Sequence, residues 1–99
     1  MDPVHANNAV YMLASGRHGT LYIGVTSDLI RRVQQHREGE TPGFTDRYGV
    51  KRLVWYRRFF TVVEAIRWEK RLKKYRRDWK INLIEQDNPN WDDLFPQIV

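Results

Sequence analysis

Arg32 and His36 stand one helical turn apart in TLYIGVTSDLIRRVQQH, residues 20–36, a stretch that opens as an apolar strand. A guanidinium and an imidazole at i, i+4 can converge on one target. Singly, Arg32 reads equally as a rim salt bridge and His36 as a satisfied boundary histidine. Upstream, strand alternation puts Tyr22 and Gly24 on one face and Leu21, Ile23 and Val25 on the other. Tyr11 lies in the preceding strand and can be brought near Tyr22 by antiparallel pairing. Both tyrosines also read as ordinary strand aromatics. Glycine in a strand forgoes packing, and close approach of a ligand or another backbone is one reason to accept that.

Glu69 raises a different question. Counting about 100° per residue along its helix, Val62, Ala65, Ile66 and Leu72 define an apolar face with Glu69 near its middle, while Glu64 points to solvent. A carboxylate in an apolar face must be paired, protonated or bound to a cation. Metal binding is one solution. An i, i+4 ion pair with Lys73, worth about 0.2–0.5 kcal/mol, is the other. The helix alone does not choose between them.

The elements that must position these residues are legible. Ala9 to Ala14 and Leu21 to Val25 read as strands joined through SGRHG. Asp28 caps a helix that runs to about Arg37 and stops at Gly39. Its apolar face is expected to be Leu29, Ile30 and Val33, with Arg31 opposite, His36 on one flank and Arg32 further round. GETPGFTDRYG, residues 39–49, reads as a loop, and Val50 to Phe60 as a third strand. Thr61 caps a second helix through about Tyr75, and a third starts near Asp78. NPNWDDLF suggests a short closing helix at about 90–96. The order β-β-α-β-α-α describes a small α/β domain, a short sheet with helices packed on it, within one domain over residues 1–99.

Composition narrows the function classes. An apolar fraction of 41% with four Trp, five Tyr and four Phe describes a folded chain. With no cysteine, disulfides and thiolate metal sites are excluded. His5, His18 and His36 share no zinc-ligand spacing. No apolar run suits a bilayer, and the N-terminal residues lack the pattern of a signal peptide, so a cytoplasmic location is expected. The net charge of +5 is concentrated. Arg67, Lys70, Arg71, Lys73, Lys74, Arg76, Arg77 and Lys80 face only Glu69 and Asp78 over that stretch, and no Lys or Arg follows Lys80. Such a block suits a polyanion or simply forms a solvated helix face.

These residues, in this order, resemble the GIY-YIG nuclease domain. Ala9-Val10-Tyr11 stands for its first element, keeping the tyrosine without the leading glycine and isoleucine. Tyr22-Ile23-Gly24 is the second, intact and about ten residues on, as the family expects. Thr26, Asp28, Leu29, Arg32 and His36 match the run into the arginine-bearing helix, and Ala65-Ile66-Arg67-Trp68-Glu69 resembles the segment with the metal-binding glutamate. The match covers roughly residues 8–84. GFTDRYGVKRLVWY and NPNWDDL are similar to small bacterial members, more distantly related to the nuclease domain of the nucleotide-excision repair incision subunit. Trp79-Lys80 stands where many members have an aromatic followed by asparagine.

The resemblance implies a three-stranded antiparallel sheet flanked by helices, and hydrolysis of DNA phosphodiester bonds with one divalent metal, Mg²⁺ or Mn²⁺. It assigns the metal to Glu69, the phosphate to Arg32, the general base to Tyr11, a positioning role to Tyr22, and proton relay or phosphate orientation to His36. A phenol with a pKa of about 10 needs the metal and Arg32 to favour its phenolate. Gly24 is expected to leave room for the DNA backbone, with Lys70, Lys73, Lys74, Arg76, Arg77 and Lys80 tracking it. Phosphate contacts give affinity and little sequence choice, so specificity is expected from DNA structure, branched or damaged, or from a protein partner. The rival expectations are a non-catalytic nucleic-acid-binding module on the same fold, and a protein-interaction adaptor using the tryptophans and acidic tail.

Overall fold

Strand β1 (Asn8–Ala14) is buried along almost its entire length, which only a central strand covered on both faces can be. It pairs antiparallel with β2 (Leu21–Thr26) on one side and β3 (Arg52–Phe59) on the other, giving a three-stranded sheet in the order β2-β1-β3. A computed structural model supplies the coordinates, and it describes residues 8–40 and 43–99. The antiparallel sheet expected from the resemblance is the one found. β3 is shorter than the expected Val50 to Phe60, because Val50 turns inward before the strand begins and its N–H bonds to the Thr45 carbonyl.

Alternation along β1 builds two cores. Val10, Met12 and Ala14 join Ile23, Val54, Trp55, Ala65, Leu72, Ile84 and Trp91 on one side of the sheet. Ala9, Tyr11 and Leu13 join Leu29, Val33, Val50, Leu53 and Ile98 on the other. The first core is covered by α3 (Val62–Lys73) and α4 (Arg77–Asp87), the second by α1 (Leu29–Arg37) and α5 (Phe95–Ile98). Helices thus lie on both faces of the sheet, and the site described below grows from the α1 side.

The helix starts follow their caps. Asp28 accepts a hydrogen bond from the Arg31 amide, and Thr61 from the Glu64 amide, each satisfying a donor that the first turn leaves unpaired. Gly39 follows α1 with φ +71, a conformation open to glycine without strain. Two expected faces need correction. Ile30 is exposed, and α1 buries Leu29, Val33 and His36. Val62 and Ile66 are also exposed, and α3 buries Ala65 and Leu72. In α1 the seated stripe is rotated toward His36, which lies further inside than the apolar count suggests, while Glu69 of α3 is only partly buried.

Two further expectations are corrected. The stretch read as a loop contains a one-turn helix, α2 (Phe44–Arg47), and its positions 41–42 lie outside the described residues. The closing helix is α5 alone, and the chain from Asn88 to Leu94 runs as turns and extended backbone. There, Asn88 donates to the Val54 and Asp92 carbonyls at 3.1 and 2.9 Å, and Asp93 accepts from the Leu53 amide at 3.2 Å. Leu94 donates to the Leu53 carbonyl at 2.7 Å. Those groups seal part of the free edge of β3, so they are not available for helical bonds.

Candidate active site

Tyr11 pairs directly with Gly24 across the β1–β2 ladder. A Cβ on Gly24 would overlap the ring and hydroxyl of Tyr11, with Tyr11 Cε1 only 2.9 Å away. The space is therefore taken by the tyrosine itself, which corrects the expectation that it is kept for a DNA backbone. Glycine here lets the phenol lie flat over the strand and aim its hydroxyl at α1.

From α1, His36 meets it. Tyr11 Oη lies 3.1 Å from His36 Nε2, and His36 Nδ1 lies 2.8 Å from Thr45 Oγ1. Tyr22 closes the group: its ring centroid is 6.3 Å from that of Tyr11 and 5.4 Å from that of His36, with Tyr11 and His36 5.9 Å apart. Arg32 reaches the Tyr11 hydroxyl from the preceding turn of α1 and donates to Gln35 Oε1 at 3.3 Å. The structure thus brings together Tyr11, Tyr22, Arg32 and His36, the four candidates of the first helix and hairpin. Tyr11 and His36 are each 1% exposed, whereas Tyr22 and Arg32 are half-buried and reach the surface.

Burial dominates the electrostatics. It pushes the Tyr11 hydroxyl up to about 12, with hydrogen bonding and charge from Arg32 working in the opposite direction and Tyr22 adding to the rise. At neutral pH Tyr11 is a phenol that donates. Burial, and then the Arg32 guanidinium, hold His36 below its ordinary value, so its imidazole is neutral. We assign the tautomer in which Tyr11 O–H donates to Nε2 and Nδ1–H donates to Thr45 Oγ1, since the buried phenol is held protonated and the imidazole neutral. Thr45 is a site residue that the sequence reading missed. It sits 3% exposed in α2, nine positions beyond His36, in a stretch whose composition says loop. Its one signal in the sequence was its place within GFTDRYGVKRLVWY, the stretch similar to the small bacterial members.

Glu69 occupies a different wall. Its side chain is 15% exposed and its Oε2 lies 3.0 Å from Lys73 Nζ. α3 covers the face of the sheet opposite Tyr11, but it lies against the β2 edge, where Lys73 and Lys80 join Leu21, Tyr22 and Ile23 around a hollow of about 320 Å³. Tyr22 thus borders both the buried hydroxyl–imidazole chain and this hollow. Glu69 pairs with Lys73 and is not itself among the residues that line the hollow. Among the described residues no three acidic or histidine side chains gather as a metal cage. One carboxylate still fits Mg²⁺ or Mn²⁺, since Mg²⁺ keeps several waters and takes one or two carboxylates plus phosphate oxygens.

The basic block divides by what each side chain touches. Arg77 donates to the His18 and Gly19 carbonyls at 2.6 and 2.8 Å, tying α4 to the hairpin turn. Arg76 pairs with Asp78 at 3.3 Å and lies 5.0 Å over the Trp79 ring. Arg71 stacks on Trp68 at 4.9 Å. Lys70, Lys74 and Lys80 have no carboxylate partner among the described residues.

Residues 7–82 match the model of the GIY-YIG catalytic domain. The chain is 36% identical over 78 residues to the UPF0213 protein BH0048 of Halalkalibacterium halodurans, covering 79% of this chain and 82% of that one. It is 34% identical over 85 residues to the UPF0213 protein OB0043 of Oceanobacillus iheyensis, covering 86% and 94%. The solution NMR structure of BH0048 superposes with a TM-score of 0.55 at 31% identity, covering 87% of this chain and 90% of that one. The chain belongs to the GIY-YIG family, a nuclease family acting on nucleic acid.

Proposed function

We propose that this protein is a divalent-metal-dependent DNA endonuclease with little sequence preference of its own. The observation that carries the reading is the buried Tyr11–His36–Thr45 chain, with Arg32 at its Tyr11 end and Tyr22 bordering both the chain and a cationic hollow at the β2 edge. Hydrolysis needs a water relieved of its proton, charge placed on the phosphate, and relief of charge on the leaving oxygen. Arg32 holds the non-bridging oxygens, a task its fork performs better than a point charge.

With Tyr11 at about 12 and 1% exposed, a free phenolate attacking from solvent is the wrong picture. Tyr22 is the hydroxyl that meets the water. It takes the water proton as its own passes to Tyr11, and the Tyr11 proton passes to His36 Nε2. The imidazole ends with both protons, and Thr45 holds its ring in place throughout. Glu69 would hold the divalent metal, which would supply positive charge to the phosphate and to the leaving group. Lys70, Lys74 and Lys80 give affinity along the backbone. Selection of branched or damaged sites then falls to DNA shape or to a protein partner, and a role in DNA repair in the cytoplasm fits that substrate.

The Glu69–Lys73 pair favours one second reading, a nucleic-acid-binding module whose carboxylate is structural. Plasmid nicking with Mg²⁺ or Mn²⁺ separates the two. Cleavage by the wild type, lost in Glu69→Ala and Tyr11→Phe while both remain folded, supports the nuclease. DNA binding without cleavage across divalent metals and branched substrates supports the module.

A further inference from the structure

The hollow at the β2 edge holds two lysines in unlike states. Lys80 has no carboxylate partner among the described residues, whereas Lys73 Nζ is 3.0 Å from Glu69 Oε2. Both side chains line the same space beside Tyr22. Lys73 is 55% exposed on its side chain and Glu69 15%, so the ammonium is the mobile partner and the carboxylate the fixed one.

We propose that this hollow is a phosphate subsite and that Lys73 is exchanged between it and Glu69. The inference rests on the nuclease reading and deepens it. A phosphodiester drawn in by Lys80 attracts the second ammonium, which must leave Glu69 to reach it. The carboxylate, 15% exposed and without its counter-charge, then needs another cation. A divalent metal is the cation to hand, with the incoming phosphate oxygens completing its shell. Without nucleic acid, Lys73 occupies the carboxylate and metal binds weakly. Phosphate and metal therefore favour each other, and linkage requires the effect to be reciprocal. The arrangement restrains a low-specificity nuclease from holding a charged metal site when no DNA backbone is present.

The test measures binding alone. Mn²⁺ affinity of the full chain is followed by electron paramagnetic resonance, and affinity for a fluorescein-labelled DNA oligonucleotide by anisotropy with and without Mn²⁺. Lys80→Gln serves as the charge-matched control for Lys73→Gln, and circular dichroism confirms that both fold. In the wild type Mn²⁺ tightens oligonucleotide binding about fivefold or more. Lys73→Gln binds Mn²⁺ tighter than the wild type by a similar factor, about fivefold, and shows a smaller Mn²⁺ effect on the oligonucleotide, the remainder coming from phosphate oxygens on the metal. Lys80→Gln binds the oligonucleotide more weakly yet keeps that effect. Identical behaviour of the two variants, or no Mn²⁺ effect in the wild type, overturns the exchange. If nicking nevertheless depends on Glu69, the nuclease reading stands without it. If Glu69→Gln retains both Mn²⁺ binding and nicking, the metal assignment itself is lost.

Discussion

At the scale of single residues, the decisive pair is Tyr11 and His36, because burial acts on both in the same sense. It keeps the phenol protonated and the imidazole neutral, the charge states that the proposed proton chain requires. Cleavage measured against pH is expected to fall on the acid side below about 6.5, the ordinary histidine value, with no alkaline limb from Tyr11 short of about 12. Stability follows the same group. The folded pKa of His36 lies below its unfolded value, so the unfolded chain takes up the proton first. The contribution is present above about 6.5 and is lost as pH falls toward the depressed folded value, which a melting series in acid buffers will show. Thr45→Val strands the buried Nδ1–H and is expected to cost about 1–3 kcal/mol, whereas Thr45→Ser largely restores it. Gly24→Ala drives a methyl into the Tyr11 ring. We expect a loss of about 1–3 kcal/mol by denaturant unfolding, with a further fall in cleavage because the hydroxyl is moved off His36.

Among the elements, the hairpin, α1 and the segment after α4 have separate duties. β1 and β2 present the tyrosines, α1 presents Arg32 and His36, and the C-terminal segment fixes the opposite edge of the sheet. Trp91 is fully buried, adopts φ 58 and donates from Nε1 to Glu85 Oε2 at 2.7 Å. Asn88, 5% exposed, donates to the Val54 and Asp92 carbonyls and accepts from the Asp92 amide. Removing that amide leaves several buried polar groups unpaired at once. Asn88→Ala is expected to lose about 2–3 kcal/mol in chemical denaturation, while metal and DNA affinities change little because the β2 edge is untouched. Arg77, expected to face DNA, spends its fork on two carbonyls of the hairpin turn, so its energetic part is already taken up in holding β1 and β2 to α4.

At the scale of the whole molecule, size and charge set the mode of binding. The longest dimension is 36 Å, enough to lie along about 10 base pairs at 3.4 Å each. That span is enough for the lysines to meet several phosphates of one duplex face. Three lysines without carboxylate partners, Lys70, Lys74 and Lys80, give an expected slope of about −3 for log affinity against log salt. A filter-binding or anisotropy series from low to physiological salt measures it, and a flat response would exclude the basic face as the binding surface. Among the described residues no helix is long and apolar enough to cross a membrane.

What the chain declared without its structure is what local rules govern. Strand alternation set Tyr22 and Gly24 on one face. The caps at Asp28 and Thr61 placed α1 and α3. Helical spacing joined Arg32 to His36 and marked Glu69 as misplaced in an apolar arc. The tertiary structure decided everything that depends on who lies opposite: that the room above Gly24 belongs to Tyr11, that His36 rather than Ile30 turns inward, that Thr45 comes back to hold the imidazole, and that Glu69 meets Lys73 at the rim of the β2 edge. Those contacts join residues far apart in sequence, and burial, which sets their charge states, is a property of the packed layers and not of any stretch of chain.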